Sequence, residues 1–133
     1  MNTKNNQAGF SLLEMMIVVA IMGIMISLIA PNLISQMRKA EITAVKADLN
    51  QIDWQTKFYY LDNYRFPTQM SQLTPRYFTT LPTDPWGNNY KLISKDGKYV
   101  VLSYGADGTS GGKGMNRDIV RKINLRGYRN VGR

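Results

Sequence analysis

The sequence predicts an α+β protein in which a long N-terminal α-helix packs on a small antiparallel β-sheet. Three observations support this class. Residues 10–30 form a predominantly apolar stretch, residues 32–61 contain neither glycine nor proline, and residues 90–104 are β-rich around a Lys-Asp-Gly-Lys hairpin signal. A two-stranded hairpin alone is marginally stable. We therefore expect the helix to cover one face of a sheet of two or three strands.

The apolar stretch has the length of a membrane span. Its 21 residues correspond to roughly 31 Å of α-helix, close to the hydrocarbon thickness of a bilayer. Glu14 is its only charged side chain, and ionisable groups inside a membrane are costly and usually functional. The alternative is a plain anchor whose Glu14 snorkels toward the interface. Gly23 and Pro31 predict a kink or local unwinding, the alternative being a harmless bend in a lipid-packed helix.

The helix is predicted to continue as an amphipathic stalk whose apolar side covers the sheet. Its apolar residues at helical spacing are Ile34, Met37, Val45, Leu49, Ile52 and Tyr59. We expect Trp54 and residues 58–60 to fill the core. Trp86 lies in the turn-rich loop of residues 81–89, and we expect its side chain to pack this loop against the core. The stalk is predicted to end at residues 61–64, since Pro67 prevents the helix from resuming.

Composition excludes several function classes. The chain has no cysteine and no histidine, which removes disulfides, thiolate metal sites and histidine-dependent nucleophilic catalysis. We therefore expect a protein that is not an enzyme. The formal net charge is +8, and seven basic residues with one acid follow Ser110. That basic tail is either a solvated terminus or a surface for nucleic acid, anionic lipid or an acidic protein.

Residues 9–14 (GFSLLE), followed by the apolar run, resemble the class III signal of type IV pilins and pseudopilins. The resemblance implies that a prepilin peptidase cleaves after Gly9 and N-methylates the new terminal Phe10. It also implies a filament in which the Glu14 carboxylate of one copy meets the Phe10 amine of the next. The predicted organisation is a leader (1–9), a transmembrane and filament-core helix (10–31), a stalk (32–62) and a head (63–133).

Three further segments resemble the G-type major pseudopilins of type II secretion: residues 61–68 (LDNYRFPT), 81–90 (LPTDPWGNNY) and 103–108 (SYGADG). This resemblance implies a single-pass protein of the bacterial inner membrane with a periplasmic head. Copies would polymerise into a periplasmic pseudopilus that drives export of folded proteins. The implied partners are copies of the chain, minor pseudopilins, an inner-membrane assembly platform and the prepilin peptidase, without nucleic acid.

The alternative is a type IV pilin, major or minor, for adhesion, motility or DNA uptake. The basic tail favours it slightly, because phosphate contacts dominate non-specific affinity for nucleic acid. The Asp-Pro-Trp-Gly-Asn run of residues 84–88 argues against it.

Similar pseudopilins bind one calcium ion in the loop that starts at the segment matching residues 103–108 (SYGADG). By that pattern Asp107 is a ligand, with Ser103 as a further oxygen donor. Asp118 stands for a second acid, while Arg117 occupies the place of another acid and Asn116 is a neutral alternative to it. Calcium prefers several oxygen ligands, so we expect a weakened site in which the guanidinium can cross-link the acids instead. The alternative is a flexible glycine-rich loop with scattered acids.

Overall fold

The computed structural model describes residues 9–95 and 97–124. The chain divides into an N-terminal unit ending at Met37 and a head unit beginning at Arg38, each described here by itself. The elements in chain order are helix α1 (Leu12–Asn63), a short 3-10 helix (Met70–Leu73), strands β1 (Lys91–Lys95) and β2 (Lys98–Ser103), a second 3-10 helix (Gly114–Asn116) and strand β3 (Ile119–Ile123). The predicted α+β class with a long N-terminal helix is confirmed.

In the N-terminal unit, the described part of α1 does not pack against a core. All its described residues are exposed except the partly buried Ala30. It is the one helix in the described ranges that is long and apolar enough to cross a membrane. The helix is unbroken through Gly23 and Pro31, so the local unwinding proposed there is not seen, while a bend of its axis stays a prediction.

The head unit has a two-layer core between α1 and the sheet. The buried side chains that form it are Val45, Leu49, Ile52, Tyr59, Leu73, Phe78, Tyr90, Val101 and Ile119. Trp86 is partly buried against this cluster, as predicted for a loop plug. The prediction that Trp54 and Phe58 fill the core is wrong, because they are 55% and 51% exposed. They fall on the side of α1 opposite the core residues at about 100° per residue.

The predicted apolar side of the stalk is also only partly correct. Its positions from Val45 onward are buried, whereas Ile34 and Met37 are 51% and 57% exposed, because the head core begins beyond them. The helix ends at Asn63, as predicted, and Tyr64 follows with a positive φ of 54°. The Asn63 side chain donates to the Tyr59 carbonyl oxygen, which satisfies one acceptor of the last turn.

The sheet is an antiparallel meander in the order β1-β2-β3. The predicted hairpin is confirmed, with Lys95 opposite Lys98 and Gly97 at a φ of 69°. Strand β3 pairs Ile119 with Ser103 and Ile123 with Tyr99. Strand β3 lies within the basic tail, whose remainder from residue 125 lies outside the described residues.

Candidate functional site

The start of α1 is built as a capping box around Glu14. The Ser11 backbone N–H donates to Glu14 Oε2 at 2.9 Å, and the Glu14 backbone N–H donates to Ser11 Oγ at 3.2 Å. Since α1 begins at Leu12, Ser11 is the N-cap and Glu14 the third helical residue. The two side chains satisfy two backbone donors that the first turn leaves free, and the carboxylate lies at the positive end of the helix dipole.

Sequence reasoning singled out Glu14 and overlooked Ser11. The spacing of a serine and a glutamate three residues apart before an apolar run is itself the signal for a capping box. Phe10 and Gly9 lie directly before the cap and are exposed. The predicted cleavage site and the predicted assembly residue thus meet within six residues at an exposed helix end.

A second polar cluster lies in the head unit, where Asp84 joins two loops. Asp84 is 4% exposed. Its Oδ1 accepts from the backbone N–H groups of Trp86 and Asn88 at 3.2 and 2.7 Å, and its Oδ2 accepts from the Ser103 hydroxyl at 2.7 Å. The Ser103 hydroxyl also accepts from the Gly105 N–H at 3.1 Å. The turn-rich loop is thereby fixed to the end of β2.

Asn88 makes a second link between the turn-rich loop and the segment that follows β2. Its side-chain amide donates to the Gly105 carbonyl oxygen at 3.0 Å. Gly105 has a φ of 77°, and a Cβ there would lie 2.6 Å from the Met115 carbonyl oxygen. A side chain at this position would force the loop apart, so glycine is required by both conformation and space.

Two of the residues predicted to bind calcium, Asp107 and Asp118, instead accept hydrogen bonds from backbone N–H groups of the glycine-rich loop. The exposed Asp107 accepts through Oδ1 from the Thr109 N–H at 3.1 Å, and Asp118 accepts through Oδ1 from the Gly111 N–H at 2.9 Å. Asn116 and Arg117 are exposed. Ser103 is fully buried and engaged with Asp84, so its hydroxyl serves the loop junction.

These residues fit a calcium site poorly. Across residues 9–95 and 97–124 there is no group of three or more acidic, histidine or cysteine side chains that could hold a metal ion. Calcium takes six to eight oxygens, usually including several carboxylates, and the loop offers two acids beside the cationic Arg117. Calcium binding stays a prediction, and nothing below depends on it.

A buried ion cluster ties β3 to the helix. The Asp53 carboxylate is 2% exposed and accepts from Lys57 Nζ at 3.1 Å and from the Arg121 guanidinium at 3.0 Å. Removing both cations would leave the Asp53 carboxylate as an uncompensated buried charge. This contact gives part of the basic tail a structural role.

The helix start and the head together define a class of protein: a type IV pilin-like protein with an apolar N-terminal helix and an α+β head. A model of the prokaryotic N-terminal methylation motif matches residues 4–30. A model of type II secretion system protein G matches residues 32–122, well over half of the chain. The chain belongs to the type II secretion system protein G family.

Curated relatives agree with this assignment. Type II secretion system core protein G of Dickeya chrysanthemi is 38% identical, covering 79% of this chain and 81% of the relative. The protein of the same name from Vibrio cholerae is 36% identical over 90% and 94% of the two chains. That from Pseudomonas aeruginosa is 33% identical over 87% and 95%. The chain is a structural subunit of the pseudopilus, and the type IV pilin alternative is not favoured.

Proposed function

We propose that the chain is anchored once in the inner membrane with its head in the periplasm. There the prepilin peptidase cleaves between Gly9 and Phe10 and methylates the new amine. The observation that carries this proposal is a lone carboxylate, Glu14, at the first turn of an exposed apolar helix. Cleavage at this junction removes a polar leader and leaves the apolar helix as the new N-terminus.

The capping box supports a specific role for Glu14 in assembly. One oxygen, Oε2, is held by the Ser11 N–H, which orients the carboxylate along the start of α1. We propose that Oε1 receives the Phe10 ammonium of an adjacent copy. Within a bundle of apolar helices, either charge without the other would be strongly unfavourable. The pairing therefore selects the axial position at which each new subunit stops.

The proposed work of the polymer is mechanical and not catalytic. Subunits enter at the base of the filament through an inner-membrane assembly platform, minor pseudopilins start or cap it, and growth pushes folded proteins outward. Energy for filament growth comes from the ATPase of the machine, since no step proposed for this chain itself releases energy. Membership in the protein G family supports this assignment.

The mass of the mature N-terminus tests the proposal. The full chain is isolated from membranes that contain active prepilin peptidase and from membranes that lack it. We expect an N-terminus at methylated Phe10 in the first and at Met1 in the second. An intact Met1 in the presence of active peptidase would contradict the processing step, and absence of the chain from sheared filaments would contradict polymerisation.

A further inference from the structure

The side of the sheet that points away from α1 is basic, and we name it the outer sheet face. Successive side chains of a strand point to opposite sides, and the buried core residues Val101 and Ile119 mark the side that packs on α1. The positions on the other side are Lys91, Ile93, Lys95, Lys98, Val100, Leu102, Val120 and Lys122. Four of these eight side chains are lysines, and none of the eight is acidic.

The outer sheet face also carries exposed apolar side chains between its lysines. Ile93 lies opposite Val100, which in turn lies opposite Lys122 on the next strand. Ile93 is 44% exposed and Val100 is partly buried, whereas Leu102 alone of the eight positions is buried. Lysines adjoin the pair of Ile93 and Val100 in its own row and in the rows on either side of it.

One pair of these lysines is unfavourable within the sheet. Lys95 and Lys98 lie directly opposite each other, and like charges at such positions destabilise an antiparallel pair of strands. Lysines on edge strands protect a sheet against pairing with other sheets, but Lys98 is on β2, the central strand. Even when Asp96 of the intervening turn is counted, the outer sheet face and its hairpin carry an excess of three positive charges. This excess charge indicates an anionic partner.

A second copy of the chain is a poor match for this charge. Asp53 and Asp84 are buried, and Asp48 and Asp62 are already bound to a tyrosine hydroxyl and an arginine guanidinium. Every copy also carries a formal net charge of +8, and net charges of the same sign repel. The anionic partner is therefore a different molecule.

We propose that the outer sheet face binds an acidic surface of another protein, with Ile93 and Val100 against an apolar patch and the surrounding lysines paired with carboxylates. An apolar centre with a polar rim is the usual anatomy of a protein interface. The eight positions include no arginine, the side chain that binds phosphate in a bidentate manner. They also include no aromatic ring to stack on nucleic-acid bases or to anchor at a bilayer surface. The inference adds a partner outside the homopolymer and does not require that polymerisation drives export.

Site-specific photo-crosslinking of the full chain in secreting cells tests the inference. A benzophenone amino acid replaces Ile93, and Tyr64 serves as the control position because it is 66% exposed and lies outside the sheet. We expect position 93 to give an adduct with a second protein, at a yield about tenfold above that of position 64. Mass spectrometry should map the crosslink to a segment of that protein in which acids outnumber bases.

Charge reversal provides a second readout that separates binding from folding. Lys98→Glu should lower the yield of the adduct by about tenfold, and lysines in place of the mapped carboxylates of the partner should restore it. The thermal midpoint of the detergent-solubilised Lys98→Glu chain should not fall, because the variant places opposite charges at a cross-strand position. Lys46→Glu, the same change at an exposed position of α1, should leave the adduct unchanged.

Several outcomes would overturn the inference. These are adducts only with another copy of the chain, with lipid or with nucleic acid, a yield no higher than that of position 64, or an adduct that Lys98→Glu leaves unchanged. The amount of sheared wild-type filament is measured in the same cells. Normal filaments without the expected adduct would refute the inference alone, whereas the absence of filaments would refute the proposed function alone.

Discussion

Helix α1 serves two different environments along one continuous element. In the head unit six of its residues are buried, Asp53 and Thr56 among them, and the sheet supports that part. Among the described residues of the N-terminal unit, 9–37, no residue is buried, so the fold of this unit does not cover its apolar side chains. The two halves of α1 have the same secondary structure, yet only the half in the head unit is packed against a core. The second half of this helix is covered by the fold of the head unit, whereas the first half is exposed.

The largest expected effect tests the half that depends on outside contacts. Glu14→Gln keeps an acceptor for the Ser11 N–H, because glutamine also forms capping boxes, but it removes the charge. Ser11→Ala removes the N-cap hydroxyl but keeps the charge. We expect Glu14→Gln, like Glu14→Ala, to lower the yield of sheared filaments at least about a hundredfold, while the variant chain is still inserted and stable.

The matched variant Ser11→Ala should weaken the helix start by about 1 kcal/mol and reduce filament yield far less. Ser11→Thr, which retains the cap, is its control. Normal filaments from Glu14→Gln would show that the carboxylate acts through capping and not through pairing with the Phe10 amine.

The next effect tests the half that is supported by the fold. Asp84→Ala would leave the Ser103 hydroxyl and two backbone N–H groups without their acceptor, at a cost of about 3 kcal/mol or more. Urea unfolding of the full chain in detergent, followed by tryptophan fluorescence, measures this loss. Asp84→Asn retains one acceptor oxygen and should cost clearly less. Equal losses for both variants would mean that the charge, and not the hydrogen bonds, fixes the loop junction.

A smaller effect concerns Tyr90, whose hydroxyl donates to Asp48 Oδ2 at 2.7 Å. Burial, followed by the hydrogen bond and charge of Asp48, raises the pKa of Tyr90 well above its usual value. A raised pKa contributes stability below about pH 10 that is lost as pH rises. The unfolding free energy should therefore fall above pH 10, by at most about 1.4 kcal/mol per pH unit from this group.

Tyr90→Phe is the matched variant for that measurement. It should lose about 1.5–3 kcal/mol at pH 7, the usual range for a hydrogen bond to a charged group, and show a flatter decline between pH 10 and 11. Identical slopes for the variant and the wild-type chain would contradict the assignment of the alkaline loss to Tyr90.

The smallest effect concerns calcium. If Asp107 and Asp118 form a weak site with a dissociation constant near 1 mM, then 1 mM calcium adds about 0.4 kcal/mol, or roughly 2 °C in the thermal midpoint. The measurement compares melts in calcium and in chelator, with Asp107→Asn as the control. Absence of a shift in the wild-type chain removes the calcium prediction.

Much of the fold could be predicted because local signals agreed with each other. The apolar run and the glycine- and proline-free stalk predicted α1, and the glycine at position 97 predicted the hairpin. The role of Glu14 in a capping box was also readable from its spacing to Ser11. These features depend on neighbours in sequence.

What could not be predicted depends on residues far apart in the chain. Nothing local indicates that Ser103 is held by Asp84, or that Arg121 reaches Asp53 across 68 positions. Trp54 was assigned to the core because large aromatics usually lie there. Its exposure depends on which face of the helix the sheet covers. That face is determined by strands that follow the helix by about 30 residues or more in the chain.

The position of β3 has a consequence for how the protein is made. This strand supplies Ile119 to the core and Arg121 to Asp53, and it follows all the other described elements of the head in the chain. During synthesis α1 is made before β3. Until β3 follows, Asp53 lacks its ion-pair partner Arg121. The core of the head can therefore be completed only after β3 has been synthesised, however early α1 forms.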